Sequence, residues 1–567
     1  MEKIKISNFR KIKDTWELDL APITFFTGKN NSGKSSVLKA LMVLSDYTNS
    51  TNHFELDFLG DNSGNHKIEN YSNCINWKNN TKSNISFEFE RHGHLFSLVF
   101  SPRLIAKQEN FQRGILESLA IINRQDDSKI EFNRQGGHSY GMSFNNRFLN
   151  RKNYSNASIE NKKLIEAKRR IEKKIGETES EIKNKLGLQL DSSIKTTSLM
   201  TLLRTPFPMI GSTLAAGVGL STFQKIKDLD LKSRVTLSTE LEKLVSDLKL
   251  LDKKLRDTGS ETIKDAEEVI FSPSFELDKL SQNDLNLNNI FNRILLPYFR
   301  NSKINVGKID VKDETIKLSS FSDELMDLFQ FDIDHLSPHR YNQERLILNK
   351  ESSDDISKLA KEEIKKEIKK GSDADMFIIK WMDEFDIGTN YEIISIYGQA
   401  SIINVFEKGI KKPINIADKG FGAGQIFTIL LKIAQKINEK KVILKKNFYF
   451  PQISDANQVV IIEEPEANLH PALQSKLTDL FLDTYTRFGV RFVIETHSEY
   501  MLRQSQNCVK GLIEKQKCDV KNIPFGVYYF DENKGPYKMQ YDEEGKFIED
   551  FGSGFFDVSR KLTRKLL

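Results

Sequence analysis

Short runs of alternating apolar and polar residues open the chain. Ile4 and Ile6 alternate with lysines, and Trp16-Glu17-Leu18-Asp19-Leu20 repeats the pattern, which predicts a hairpin of two strands. Ile23-Thr24-Phe25-Phe26-Thr27 is an apolar, β-prone run, and Val37 to Leu44 reads as the buried start of a helix. Residues 45–83 are polar and loop-like. Ile85 to Glu90 alternates strictly and His94 to Phe100 follows after Gly93, a second predicted hairpin that would put His92 and His94 on one strand face. No third ligand lies nearby in sequence, so a structural role is preferred to a metal for that pair. Residues 101–156, with Gly136-Gly137 and many Asn and Arg, read as mixed loop and short helix.

Residues 157–256 differ in kind. Leu164, Ile171, Ile175 and Ile182 are spaced seven, four and seven apart, and Leu237, Leu241, Leu244, Leu248, Leu251 and Leu255 repeat at four and three. Such seams predict an antiparallel coiled-coil hairpin, with two amphipathic helices on a globular body as the alternative. Between them Thr205 to Phe223 carries no charge. Its prolines and glycines favour a tip that packs on another subunit or partner over membrane insertion. Farther on, Asn288 to Leu296 reads as a helix, Glu351 to Lys370 as a solvated Lys/Glu helix, and Tyr391 to Ile396 with Ser401 to Phe406 as a strand pair. Helices over Ile426 to Ile437 and Ala472 to Leu482 flank an apolar strand, Val459 to Glu464, and Val490 to His497 predicts another strand.

A chain of 567 residues is too long for a single core. Its 84 basic and 79 acidic residues nearly balance, which argues against gripping nucleic acid with the whole surface and leaves room for a local basic patch. Cys74, Cys508 and Cys518 show no metal spacing and fit a reducing, cytoplasmic setting. The N-terminus alternates like a strand and lacks the pattern of a signal peptide.

Candidate chemistry sits between the apolar strand and the first helix. Gly28-Lys29-Asn30-Asn31-Ser32-Gly33-Lys34-Ser35-Ser36 fits G-x-x-x-x-G-K-[ST], the phosphate-binding P-loop, in the strand–loop–helix context it needs. Gly28, Asn30, Asn31, Ser32, Gly33, Lys34, Ser35 and Ser36 are therefore the candidate nucleotide cradle. Lys34 would reach the β- and γ-phosphates of ATP, and the Ser35 hydroxyl would ligate Mg²⁺. Arg10 stands near the start of this lobe and could stack on a base or touch a phosphate, or be a plain surface arginine.

Three later stretches add to this. Lys419-Gly420-Phe421-Gly422-Ala423-Gly424-Gln425 precedes a helix, and small residues at a helix start leave N–H groups open to an anion. Glu463-Glu464 closes the apolar strand in a Walker B pattern: Glu463 would help hold the Mg²⁺ water shell, and Glu464 would orient or deprotonate the attacking water. The usual first residue is Asp, and the extra methylene of Glu463 still allows contact through water. His497 ends the next strand, where it could hydrogen-bond the γ-phosphate.

Taken in order, Asn8-Phe9-Arg10, the P-loop, Glu463 to Pro471 and Glu495-Thr496-His497-Ser498 resemble the ATPase heads of the ABC type, and most closely the SMC-like, RecF and OLD families with their long insertions. The resemblance covers roughly the first 50 residues and residues 330–500. It implies an α/β P-loop ATPase head, a mixed sheet flanked by helices, with the coiled coil inserted. It also implies a division into five parts: 1–150, first half of the head; 151–265, coiled-coil hairpin; 266–330, helical connector; 331–510, second half of the head; 511–567, C-terminal extension. Gly422, Ala423, Gly424 and Gln425 would be the signature loop that faces a γ-phosphate bound by a second subunit, though Phe421-Gly422 replaces the familiar Leu-Ser. Asn468 would sit in the loop that crosses the dimer.

On the same resemblance the chain is expected to bind ATP and Mg²⁺ and to form a homodimer, or a higher homo-oligomer, through its heads. Similarity to Septu-like and retron-associated ATPases implies control of a nuclease or toxin encoded nearby, in antiphage defence. The tail, with Glu549 to Asp557, looks like a bacterial subgroup of these ATPases and too short for the toprim nuclease of the OLD family. A DNA clamp of RecF or SMC type, which would bind nucleic acid, and a regulatory scaffold with little turnover are the other readings.

Overall fold

The computed structural model describes residues 3–79, 83–103, 113–124, 129–145, 270–271, 274–280, 285–291, 293, 325–348, 354–446, 458–515, 522–552, 555 and 557–566, with scattered helical positions between 167 and 250. Most of the coiled-coil expectation, the whole apolar run 205–223 and Cys518 lie outside the described residues. The chain forms two compact units, Met1–Phe144 with Phe271–Leu567, and Asn145–Ile270. The first unit holds the P-loop, the Glu463–Glu464 pair and His497.

The opening hairpin is β1 (Lys3–Ser7) with β2 (Trp16–Asp19), antiparallel with Ile4 opposite Leu18. Next come β3 (Ile23–Gly28), buried at every position, and α1 (Lys34–Thr48). An antiparallel sheet succeeds them: β4 (Ile85–Arg91), β5 (His94–Pro102), β6 (Gly114–Asn123), β7 (Lys129–Gly136) and β8 (Ser139–Asn145). Its strands run β8-β7-β6-β5-β4-β1-β2. Two expectations change here. Gly114–Asn123, Lys129–Gly136 and Ser139–Asn145 are strands, where the sequence suggests loop and short helix. A bulge is the reason: Val99 faces Ser118 while Phe100 faces Leu116, so Glu117 is an extra residue and the two-residue period slips. His92 lies in the turn at φ 47°, off any strand face, and its carbonyl is 3.2 Å from Nδ1 of His94.

The second sheet carries the P-loop. Its members are β3, β9 (Asp332–Leu336), β12 (Gln458–Glu463), β13 (Arg491–Glu495), β14 (Phe525–Asp531) and β15 (Gly535–Met539). The order is β9-β12-β13-β3-β14-β15, parallel except for the last pair. The strand pair in the intervening stretch is β10 (Asn390–Ile396) with β11 (Ala400–Phe406), antiparallel as expected. The α/β head with helices against a mixed sheet is thus the observed fold. Residues 511–567 are not an appended extension, because β14 lies beside β3 in the middle of this sheet, Val527 opposite Phe25. Its run Phe525-Gly526-Val527-Tyr528-Tyr529-Phe530 is apolar because it is central. The stretch 266–330 is also not purely a helical connector: Ser274–Glu276 pairs with β8, and Leu287–Ile290 forms one helical turn.

Helices cover the P-loop sheet. They include α2 (Asp355–Lys365), α3 (Asp373–Glu384), α4 (Phe421–Lys446), α5 (Pro471–Phe488) and α6 (Glu499–Glu514). Ile426, Phe427, Leu430 and Ile433 of α4 share one core with Leu477, Leu480 and Phe481 of α5 and with Phe25, Ile462 and Ile494 of the strands. The Lys/Glu helix α2 is solvated on one side only: Ile356, Leu359 and Ala360 are buried. Asp354 caps it by accepting the Ser357 N–H at 2.9 Å.

This packing can be tested at two points. Gly28 has φ +134°, and a Cβ there would stand 2.4 Å from the Phe530 carbonyl oxygen on β14. Gly28→Ala should cost about 1–3 kcal/mol in urea unfolding, and Gly136→Ala, at φ +123° with open space around it, should cost less. The second point is His53, fully buried at the end of α1. Its Nδ1 accepts the Leu287 N–H at 3.0 Å and its Nε2–H donates to the Thr48 carbonyl at 3.3 Å, which requires a neutral ring. Burial lowers its pKa from 6.5 to about 4. The unfolded chain therefore takes up the proton first, so this contribution is complete above pH 6.5 and is lost as pH falls towards 4. The loss is on the order of 3 kcal/mol. His53→Gln should flatten the pH dependence of urea stability in that window, and a slope equal to that of the unsubstituted protein would remove His53 from the role.

Candidate functional site

Parallel register brings the chemistry to one end of the sheet. Glu495 of β13 pairs with Phe26 of β3, Glu463 of β12 pairs with Glu495, and Leu336 of β9 pairs with Ile462. The carboxyl ends of four neighbouring strands are therefore level, and open parallel sheets bind ligands beyond such ends. The P-loop leaves β3 at Gly28 and enters α1 at Lys34. Asn31 takes the left-handed region at φ 59° and Gly33 at φ +107°. A Cβ on Gly33 would meet the Trp16 ring at 2.6 Å, so the loop is seated directly on the opening hairpin. Ser32 closes the turn by donating to the Lys29 carbonyl at 2.7 Å. Ser36 Oγ accepts the Lys11 N–H at 3.4 Å.

Lys34 is buried, and its ammonium donates to the carbonyls of Gly28 (3.1 Å) and Lys29 (2.9 Å). It also lies 3.6 Å from Glu495 Oε1. Burial lowers its pKa, opposed mainly by the Glu495 charge. Ser35 is exposed, and its hydroxyl donates to Glu495 Oε2 at 3.3 Å. Glu495 was missed as a site residue because it reads as the last polar position of a strand. Burial pushes its pKa up to about 7 against the pull of Lys34, with Glu463 and Glu464 adding to the rise.

The Walker B pair splits in direction. Glu463 Oε1 accepts the Nε2–H of buried His335 at 2.6 Å, and His335 Nδ1 has no hydrogen-bond partner among the described residues. Glu464 turns the chain at φ 47°, its N–H donating to the Glu495 carbonyl at 2.8 Å. Its own carbonyl accepts from Arg340 at 3.0 Å. The Arg340 guanidinium is fully buried and also donates to the Glu463 carbonyl and to Gln425 Oε1. His335 and Arg340 carry no motif of their own, and their roles come only from what the fold places beside them.

His497 follows β13 and is exposed, its N–H donating to Glu466 Oε1 at 2.6 Å. Desolvation and then the Lys34 charge lower its pKa, which keeps the imidazole neutral as a donor or acceptor. Desolvation raises that of Glu466.

The glycine-rich segment divides in two. Gly422 and Ala423 are half-buried in the first turn of α4, where a helix leaves N–H groups without internal partners. Gly424 and Gln425 instead face inward. A Cβ on Gly424 would sit 2.2 Å from the Tyr341 ring, and Gln425 is buried against Arg340. The Gln425 side chain is therefore turned into the head, because the helix rotates successive residues by roughly 100°. Gly422 packs on the loop after β12, with a Cβ position 3.0 Å from the Asn468 carbonyl, and Asn468 is exposed at φ 62°. Arg10 sits in a left-handed turn at φ 50°, and Nη1 donates to the Asn73 carbonyl at 3.2 Å. Its charge is felt by Lys39 of α1, where burial is the larger effect.

Among the described residues, no three His, Cys, Asp or Glu are grouped to hold a metal by themselves. The oxygen donors of Ser35, Glu463 and Glu495 suit a hard cation that takes its other ligands from phosphate and water, as Mg²⁺ does. No described helix is long and apolar enough to cross a membrane.

No curated protein matches the chain. Similar solved structures include the Smc head domain with an extended coiled coil bound to the C-terminal domain of ScpA, from Pyrococcus furiosus, at 9% identity and TM-score 0.31, covering 100% of this chain and 98% of that one. Another is the Smc head domain with a coiled coil and joint from Pyrococcus yayanosii, at 10% identity and TM-score 0.32, covering 96% and 97%. The profile of the AAA ATPase domain family matches residues 1–502, a span that takes in the P-loop, the Glu463–Glu464 pair and His497, and the chain belongs to that family.

Proposed function

We propose that the chain hydrolyses ATP at the end of the parallel sheet. The observation that carries this reading is the convergence of Lys34 and Ser35 at the start of α1, Glu463 and Glu464 at the end of β12 and Glu495 at the end of β13 at one end of the sheet. Phosphate oxygens give Lys34 charged partners in place of the neutral carbonyls of Gly28 and Lys29. Backbone N–H groups of the loop and the first turn of α1 receive the remaining phosphate oxygens. Ser35 and the acidic strand ends would hold Mg²⁺, which would supply positive charge to the phosphates. Glu464 orients or deprotonates water, its direction fixed by the bonds that hold its N–H and carbonyl. His497, kept neutral, hydrogen-bonds the γ-phosphate.

The first turn of α4 and the Asn468 loop lie side by side on this head. The proposal is that Gly422, Ala423 and Asn468 of one head face the nucleotide of a second, so that two heads close around two ATP molecules. Resemblance of the motif set to defence ATPases extends the reading: ATP-driven closure controls an effector, a nuclease or toxin, in antiphage defence.

Glu464→Gln should retain nucleotide binding and lose about 10²-fold or more in turnover, whereas Lys34→Ala should lose nucleotide binding itself. Steady-state ATPase assays with a fluorescent ATP analogue check both, and undiminished turnover in Glu464→Gln removes that residue from the role. The same variant should sediment as a dimer with ATP and as a smaller species without it. Purification with the products of neighbouring reading frames should co-elute an effector, and phage protection should disappear with Lys34→Ala. ATPase activity stimulated by DNA, with a steep salt dependence and no effector, would favour the clamp instead.

A further inference from the structure

Sequence motifs assign the metal to Ser35 and Glu463, yet the carboxylate that touches Ser35 is Glu495. We propose that Glu495 is the acidic residue that joins Ser35 in holding the Mg²⁺ of a bound nucleotide, with Glu463 in support from one strand farther out. This rests on the ATP reading above and deepens it.

Three observations carry the assignment. Glu495 straddles the two functional groups of the P-loop, one oxygen 3.3 Å from the Ser35 hydroxyl and the other 3.6 Å from the Lys34 ammonium. It ends β13, which lies next to β3, whereas Glu463 ends β12, the second strand away. One strand spacing places the backbone of Glu463 about 4.8 Å farther from the P-loop strand. Glu463 is, in addition, already engaged: its Oε1 accepts the His335 Nε2–H at 2.6 Å. That bond orients Glu463 in the way outer groups commonly orient a metal site, which suits a supporting residue.

The chemistry agrees with the geometry. The Glu495 side chain is only 9% exposed, and one lysine 3.6 Å away is its nearest positive group. Buried carboxylates require a paired charge or a metal. A hydroxyl and a carboxylate are oxygen ligands of the type Mg²⁺ prefers, and its remaining positions go to phosphate and water. The competing assignment makes Glu495 only the counter-ion of Lys34. It differs in outcome, because removing a mere counter-ion frees Lys34 for phosphate and leaves the metal unaffected.

The test uses Mn²⁺ as a paramagnetic stand-in for Mg²⁺, in the full chain with ATP, in a Glu464→Gln background so that nucleotide persists. Electron paramagnetic resonance counts bound Mn²⁺, and a fluorescent ATP analogue in EDTA reports affinity without metal. Adding Glu495→Gln should weaken Mn²⁺ binding about tenfold or more and leave metal-free nucleotide affinity unchanged or tighter. Glu463→Gln should weaken it less, and Glu495→Asp, which keeps the charge, should restore part of the loss. Mn²⁺ retained at the unsubstituted level in Glu495→Gln, or a larger loss in Glu463→Gln, overturns the assignment. Thermal melting shows whether Glu495→Gln is folded; if it is not, Glu495→Ala decides, and Mn²⁺ held as in the background protein overturns the assignment. A background protein that binds neither nucleotide nor Mn²⁺ would instead defeat the ATP reading itself.

Discussion

Hydrogen-bonded register between parallel strands sets where every functional group in this head can be. Parallel neighbours start and stop at the same edge only if their pairing is fixed, and a slip of one residue would send Glu463 or Glu495 to the opposite face. Here the pairing of Glu463 with Glu495, and of Glu495 with Phe26, leaves no such freedom. Core packing enforces it, since Val460, Ile462, Phe492 and Ile494 are wholly buried and none could face water without losing that burial. The site is therefore a consequence of the sheet, and the loops add direction more than position.

Direction comes from backbone strain held in place. Glu464 adopts φ 47°, an uncommon region for a residue with a side chain. It is held by a β13 carbonyl on one side and by Arg340 on the other. Burial lowers the Arg340 pKa to about 10, still far above neutrality, so the guanidinium stays charged where it meets the Glu463 and Glu464 carbonyls. The same group holds Gln425 in the first turn of α4. One buried cation thus connects the acidic end of β12 with the start of α4. Tyr341, next in sequence, fills the space that Gly424 leaves open.

Local patterns capture most of this architecture and miss the parts that depend on distant partners. The P-loop, the Glu463–Glu464 strand and the β10–β11 pair arise from short-range rules, a motif or an alternation, and their residues lie where those rules put them. The β6–β8 region did not, because register shifts at Glu117 and between Arg134 and Gly136 break the alternation that the eye follows. β14 was read as belonging to an extension because no local feature says that an apolar run will enter a sheet 500 residues upstream. Glu495, His335 and Arg340 were illegible for a related reason. Each is an ordinary polar residue whose meaning comes from what burial places beside it, and burial is a property of the whole fold.

The edge strand β9 shows how far that dependence reaches. Burial works against ionising Asp334, yet Lys432 and Lys436 of α4 hold its carboxyl below the ordinary value, so the cluster is charged and paired. One residue earlier, the Ile333 N–H donates to the Ser45 hydroxyl of α1 at 3.1 Å. One residue later, His335 reaches Glu463. Three consecutive positions of one strand therefore fasten the P-loop helix, the glycine-initiated helix and the acidic strand end. A shift of α4 relative to the sheet must either drag Asp334 along or separate a buried carboxylate from its lysines, and the latter leaves uncompensated charge in the interior. Asp334 and His335 thus fasten the middle of α4 and the acidic end of β12 to adjoining positions of one edge strand, which carries no recognised motif.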